Sequence, residues 1–252
     1  MKIEEYIASL PPSIISGEQV QLLDDSIREI LKFAEVGKDD VFYHLGCGTG
    51  NGLAVAEEFC VRKAVGVDID PEKISDAQGM IARKNLKNSV VRCEDILNTD
   101  MSDATVVLFW FSDTSITEKM LDRFSSLGQG CKIITIFDPL PGILPSRVSF
   151  PYILHQTPLK QAKTLRDQLI AVFDTECIDF TTAWEFAERY TKAVGSPDAG
   201  NDRFLTILQT MMIWINARKL GLSCTDEIPP AVQSYIEILR NFFGIEVKHL
   251  IE

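Results

Sequence analysis

The stretch "VFYHLGCGTGNG", residues 41–52, decides how this chain folds. Four apolar or aromatic residues and a histidine run straight into glycines at 46, 48, 50 and 52. They read as a buried β-strand, and "NGLAVAEEF" reads as a helix that starts at the glycines. In a doubly wound sheet a ligand lies outside the C-terminal ends of the strands, where a strand turns into its helix. Glycines there let the backbone approach the ligand, and the helix N-terminus offers free N–H groups. The position is right for a nucleotide-like cofactor.

Spacing narrows the choice. A dinucleotide fingerprint G-x-G-x-x-G would need glycine at 51 or 53, where the chain has Asn51 and Leu53. A phosphate loop is excluded because no Gly-Lys-Ser/Thr follows. The pattern is G-x-G-x-G, from Gly46, Gly48 and Gly50, with Cys47 a compact filler between the first two rather than a nucleophile. Such a loop alone is also compatible with a simple tight turn.

Working outward, strand-like and helix-like segments alternate. A helix from about Gly17 to Ala34, with Ser16 as N-cap, precedes the first strand. "KAVGVDID" is the second strand, and "PEKISDAQGMIARKN" a helix with Pro71 at its first turn. "SVVRCED" and "ATVVLFWF" are the third and fourth strands, a helix follows around "TEKMLDRFSSL", and "CKIITIFD" is the fifth strand. Apolar runs joined by helical crossovers imply a parallel sheet covered on both faces. The expected fold is α/β, a doubly wound Rossmann-like parallel sheet.

Four prolines between 139 and 151 then mark a break. Beyond it helices are expected at about Leu159–Phe173, Phe180–Val194, Arg203–Leu220 and Ala231–Phe243. Asp179 and Asn201 or Asp202 are placed as N-caps, and Gly195 and Gly221 as terminators. Only "GIEVKHLI" near the end offers another strand. The expected division is a cofactor-binding domain at 1–150 and a helical C-terminal subdomain at 151–252.

Two acids support the glycine loop. Asp68 ends the second strand, and a carboxylate there can accept both hydroxyls of a ribose, with Ile69 beside it. Asp95, after the third strand, and Ile96 stand where an adenine edge would lie. Each acid alone reads equally well as a helix cap or a solvated turn. Together with the glycines they occupy the ends of three consecutive strands.

"HLGCGTGNG", "VGVDIDPEKISDAQ" and "VRCEDIL" resemble the successive cofactor motifs of class I S-adenosylmethionine-dependent methyltransferases. Over about residues 10–145 the chain is similar to the seven-strand protein-lysine methyltransferases of the archaeal and mitochondrial type, which pair a "Pro…Pro" segment with "DLGCGDG", a "GVDID" strand and a fourth strand rich in large apolar residues. The resemblance implies S-adenosyl-L-methionine held by Gly46, Gly48 and Gly50, its ribose on Asp68 and its adenine near Asp95. His44 departs from the family, which usually has Asp or Glu there. The imidazole either hydrogen-bonds the methionine end of the cofactor or is a satisfied residue behind the site.

The acceptor is expected at the end of the fourth strand. The Asn/Asp-Pro-Pro-Tyr/Phe of nucleobase and glutamine methyltransferases is missing from "LFWFSD", residues 108–113. Phe109, Trp110 and Phe111 can instead wall an apolar channel for an alkylammonium, although alternate members of this run read as sheet core. Asp113 either steers a lysine ammonium or caps a helix. Trp184, Tyr190 and Trp214, on helical apolar faces, read as core.

Composition bounds the rest. The 46% hydrophobic and 24% charged content is that of a globular chain. Net charge is −11, and the first 150 residues carry 15 basic against 23 acidic residues. Extended nucleic-acid binding is therefore disfavoured, and a basic partner suits the surface. Six dispersed cysteines without a CxxC pair suggest neither a zinc cluster nor a disulfide framework, and most read as small buried hydrophobes. His44, His155 and His249 lack ligand spacing, so no metal is expected. No signal peptide or membrane span is read, and the chain is expected to be cytoplasmic. The leading expectation is methyl transfer to a protein lysine. The alternatives are a small-molecule acceptor or a catalytically inactive cofactor-binding scaffold. Oligomeric state is not legible.

Overall fold

The computed structural model describes residues 22–111, 113–194, 202–225, 227–244 and 246. The proline pair at 11–12, Ser16, the start of the first expected helix at Gly17, Gly195, Asn201 and most of "GIEVKHLI" lie outside the described residues. The residues divide into two compact units, of which one comprises Leu22–Val172 and the other contains Phe173 onward.

The first unit holds a seven-stranded sheet. Its elements are α1 (Asp24–Phe33), β1 (Val41–Leu45), α2 (Asn51–Glu58), β2 (Lys63–Asp68), α3 (Pro71–Lys84), β3 (Ser89–Cys93), β4 (Val106–Phe109), α4 (Thr114–Ser125), β5 (Lys132–Ile136), β6 (Arg147–Ser149) and β7 (Tyr152–Gln156), followed by α5 (Leu165–Phe173). The strand order is β3-β2-β1-β4-β5-β7-β6. The first five strands pair in parallel, as the apolar runs predict. The chain order reverses between β1 and β4, so the C-terminal ends of these strands form the topological switch point of the sheet.

Each strand feeds two layers, because successive side chains point to opposite faces. Val41, Tyr43 and Leu45 of β1 join Val65, Val67, Val107, Phe109 and Ile133 in one buried cluster, which α4 closes with Met120 and Phe124. On the other face α2 lies very close to the sheet. A Cβ added at Gly66 would sit 2.7 Å from Cys47 Sγ, and one added at Gly52 would sit 2.4 Å from His44 Nδ1. These two glycines are a packing requirement that the sequence reading did not assign.

β6 and β7 were not anticipated. β7 runs antiparallel to β5, and β6 antiparallel to β7. The proline-rich segment is thus an approach to a hairpin, not the end of the sheet. Pro151 falls between β6 and β7, where no ladder hydrogen bond needs its missing N–H. The expected boundary at 150 lies inside this hairpin, whereas the compact unit with the sheet runs to Val172.

In the second unit α6 (Phe180–Val194), α7 (Asp202–Lys219) and α8 (Pro230–Phe243) match the expected helices. Asp179 caps α6 by accepting the Thr182 N–H at 2.7 Å, and Gly221 follows α7 at φ 67°. Trp214 is fully buried, as read, whereas Trp184 is half-buried and stacks on Tyr235 at 6.3 Å. The cysteine reading needs correction. Cys177 and Cys224 form a disulfide that, beside a bridge between Ile178 and Ser223, ties the entry of α6 to the exit of α7. Of the remaining four, Cys47 and Cys131 are buried and Cys60 and Cys93 are exposed. The pairing was illegible because 47 residues separate the partners. Among the described residues no helix is long and apolar enough to cross a membrane.

Candidate functional site

The site is built at the ends of β1, β2 and β3. After Leu45 the chain turns sharply, with Gly46 and Cys47 both donating their N–H groups to Val67 O, at 2.8 and 2.9 Å. Gly46, Gly48 and Gly50 all have positive φ, at 72°, 54° and 86°. Gly50 is the N-cap of α2, and no side chain caps that helix. The helix therefore presents its N-terminus bare, with no acid in its first turn, which suits an anionic ligand group.

Asp68 does more than end its strand. Its Oδ2 accepts the Gly48 N–H at 2.8 Å and its Oδ1 accepts the Asp70 N–H at 3.0 Å, so one buried carboxylate holds the glycine loop against β2. Ile69, next to it, is 72% exposed, an uncompensated apolar surface beside the loop. Asp95 follows on the neighbouring strand end, and its Oδ1 accepts the Leu97 N–H at 2.9 Å to form an Asx turn. Ile96 is a core side chain, packed with Val67 and Met101, which leaves its main chain as its offer to a ligand. Cys47 is buried, and burial first, then the Asp68 charge, push its thiol up to about 12. It is not a thiolate nucleophile at neutral pH.

His44 is 8% exposed and faces α2. Its Nδ1 is buried without a hydrogen-bond partner. Burial lowers its pKa to about 4, against an opposing pull from Asp68, so the ring is neutral at pH 7. His155 on β7 is fully buried, also lowered to about 4 by burial, and accepts the Leu140 N–H at its Nε2. For both rings the folded pKa lies below the unfolded value near 6.5. The unfolded chain takes up protons below pH 6.5 that the folded chain refuses until about pH 4. Stability should thus be flat above pH 6.5 and fall between 6.5 and 4, by up to about 3 kcal/mol per histidine. Urea midpoints at pH 7 and 5 check this. His155→Gln, which keeps an acceptor for Leu140, should reduce the pH slope by about 1.4 kcal/mol per unit, and an unchanged slope would refute the assignment.

Burial falls off where β4 ends at Phe109. Phe109 is core, while Trp110 and Phe111 are half-buried. Phe111 stacks on Phe109 at 4.9 Å, and a Cβ at Gly46 would lie 2.9 Å from its ring, so Phe111 covers the first glycine of the loop. Asp113 is an exposed N-cap of α4, accepting the Ser115 N–H at 2.8 Å. The hydrogen bonds from Ser115 hold its carboxyl below the usual range. Capping accounts for this residue.

A small recess opens at the adjoining ends of β4 and β5, lined by Phe109, Trp110, Phe111, Thr117, Thr135, Ile136, Asp138 and Pro139. Thr135 and Asp138 went unremarked in the sequence, although "IFDP" places an acid directly after the fifth strand. A larger groove, about 360 Å3, lies at the opposite strand ends around Arg62, Lys63 and Lys87, remote from the glycine loop. Among the described residues no group of three His, Cys, Asp or Glu side chains is placed to hold a metal.

This architecture and loop define the class: the chain belongs to the class I S-adenosylmethionine-dependent methyltransferases. A family model described as a methyltransferase domain matches residues 37–139, β1 through the end of β5. Within the class, the chain is similar to the protein-lysine N-methyltransferase of Saccharolobus islandicus (strain REY15A), 32% identical over 126 residues that cover 48% of this chain and 77% of that protein. The solved RNA methyltransferase from Salinibacter ruber, in complex with S-adenosyl-L-homocysteine, aligns with a TM-score of 0.53 at 24% identity, over 58% of this chain and 99% of that one. At that identity the likeness is one of fold. S-adenosyl-L-methionine is the cofactor, and the bare N-terminus of α2 and the glycine turn are suited to an anionic ligand group.

Proposed function

We propose that this methyltransferase acts on a lysine amine of a basic protein. The observation that carries the reading is the 32% identity to a protein-lysine N-methyltransferase across 77% of that protein's length. The net charge of −11 supports it by favouring approach of a basic substrate. So does the aromatic end of β4, which offers π faces to an alkylammonium and lacks the polar motif of nucleobase enzymes.

In this reading the main chain of Gly46, Cys47, Gly48 and Gly50 and the N-terminus of α2 cradle the methionine end of the cofactor, with His44 behind it. Asp68 takes the ribose while retaining the Gly48 N–H, and Ile69, Asp95 and Ile96 border the adenine. Trp110 and Phe111 wall the acceptor channel, with Asp113 fixing the start of α4 at its rim. S-adenosyl-L-methionine supplies an activated methyl group on a sulfonium. The protein's own share is to hold the acceptor nitrogen in line, about 3 Å from the methyl carbon, and to exclude water.

The test is transfer of tritiated methyl from S-adenosyl-L-methionine into fractionated cell extract, with Asp68→Ala as control. Protease-sensitive label in one or a few basic proteins is expected. Label confined to small molecules, or none from a protein that binds the cofactor, would overturn the lysine reading.

A further inference from the structure

Thr135 and Asp138 flank the recess at the ends of β4 and β5, and each leaves a polar group without a partner. Thr135 is 5% exposed, and its Oγ1 is buried with no hydrogen bond. A buried hydroxyl in that state costs about 1–3 kcal/mol, so a fold that keeps it at a recess has left an acceptor or donor for something that enters. Asp138 is exposed as a residue, yet protein packed around its carboxyl raises its pKa through lost hydration. Among the described residues its side chain accepts no hydrogen bond and joins no ion pair. A carboxylate on the rim of a recess with no protein partner of its own is free to accept from a cation.

The backbone holds this acid deliberately. Asp138 N–H donates to Ile136 O at 2.9 Å across Phe137, whose φ is 72°. A non-glycine residue in that region costs about 1–3 kcal/mol, and the Phe137 N–H is tied to Pro151 O at 2.8 Å, which keeps the turn in place. The free volume between the walls is about 20 Å3, room for one group the size of a water molecule or an ammonium. One wall is Phe111, whose ring also covers Gly46. The recess therefore adjoins the cofactor loop through a single side chain.

We propose that this recess binds the primary ammonium group of the methyl acceptor, with the Asp138 carboxylate and the Thr135 hydroxyl accepting its N–H bonds and Trp110 and Phe111 enclosing its alkyl stem. The assignment rests on an amine acceptor, as under the proposed function, and makes Asp138 the residue that selects a cationic amine over a neutral alcohol or thiol. Asp113, engaged in capping α4, is not needed for that task.

The probe is Nα-acetyl-lysine methylamide, observed by saturation-transfer NMR on the full chain with S-adenosyl-L-homocysteine present. Strong transfer to the ε-methylene protons is expected, displaced by n-butylammonium and not by n-butanol. Asp138→Asn should weaken the probe at least 10-fold, with S-adenosyl-L-homocysteine affinity unchanged by calorimetry. Thr135→Val should weaken it about 3- to 10-fold without lowering the melting temperature, an outcome that a purely structural threonine would not give. Equal probe binding by Asp138→Asn, or displacement by butanol as readily as by butylammonium, would overturn the inference even if extract labelling identifies a lysine. Conversely, label found only in a small-molecule amine would end the protein-lysine reading and leave the ammonium recess standing.

Discussion

Replacing Asp68 by alanine should weaken S-adenosyl-L-homocysteine binding by about 1.5–3 kcal/mol, roughly 10- to 100-fold, and is the largest effect on the cofactor expected from one side chain. The reason is a double duty that its place at the end of β2 imposes. The carboxylate receives the Gly48 N–H at 2.8 Å and the Asp70 N–H at 3.0 Å, so it sets the shape of the glycine turn before any ligand arrives. In the proposed cofactor pose it also meets the ribose. Truncation removes both contributions and frees a buried Gly48 N–H. Isothermal calorimetry gives the affinity, and amide exchange at Gly48 gives the state of the loop. Unchanged affinity would displace the ribose from this acid. Lost affinity with a fully protected Gly48 amide would separate the two duties and assign the effect to the ligand alone.

The fold was legible where local pattern and topology agree. β1, β2, β4 and β5 are apolar runs, and a strand buried on both faces in a parallel sheet leaves that mark in the residues themselves, whereas β3, at the sheet edge, is buried only at Ser89. The glycine turn was legible for the same reason, since positive φ at three alternate positions selects glycine three times over. The β6–β7 hairpin was not legible. Prolines at 139, 141 and 145 signal a break, and nothing in "RVSFPYILHQ" states that the chain returns antiparallel to β5, a pairing fixed by partners 16 to 24 residues away. The disulfide was hidden by the same separation.

For the site, the residue types were readable and their occupations were not. Asp113 and Asp138 are both acids just beyond a strand end, yet one is consumed by a helix N-terminus and the other stays unpaired. That difference depends on whether a helix starts at once or a γ-turn intervenes. His44 is a similar case. Its spacing from the glycines was plain, whereas its neighbour across the helix layer was not, because the contact to Gly52 depends on how closely α2 approaches β1.

That contact yields the largest stability effect expected from a single substitution at neutral pH. Alanine at Gly52 would place its Cβ 2.4 Å from His44 Nδ1, well inside van der Waals contact, in a helix whose first-turn residues are packed against the strands. Neither side has room to yield, since His44 is 8% exposed and its Nδ1 is buried. Overpacking of this kind costs about 1–3 kcal/mol, and here it also tilts the helix start that frames the cofactor loop. Gly52→Ala should therefore lower the urea midpoint and weaken S-adenosyl-L-homocysteine together. His44→Ala alone removes a buried ring with an unpartnered nitrogen, and the methyl group of the double variant then occupies space the imidazole vacated. The two substitutions should couple by at least 1 kcal/mol in the rescuing direction, and strict additivity would show that the histidine does not set the glycine. Recovery of stability without recovery of cofactor affinity would assign His44 a direct part in binding the methionine end. Recovery of both would make it the packing residue that fixes the separation between α2 and β1.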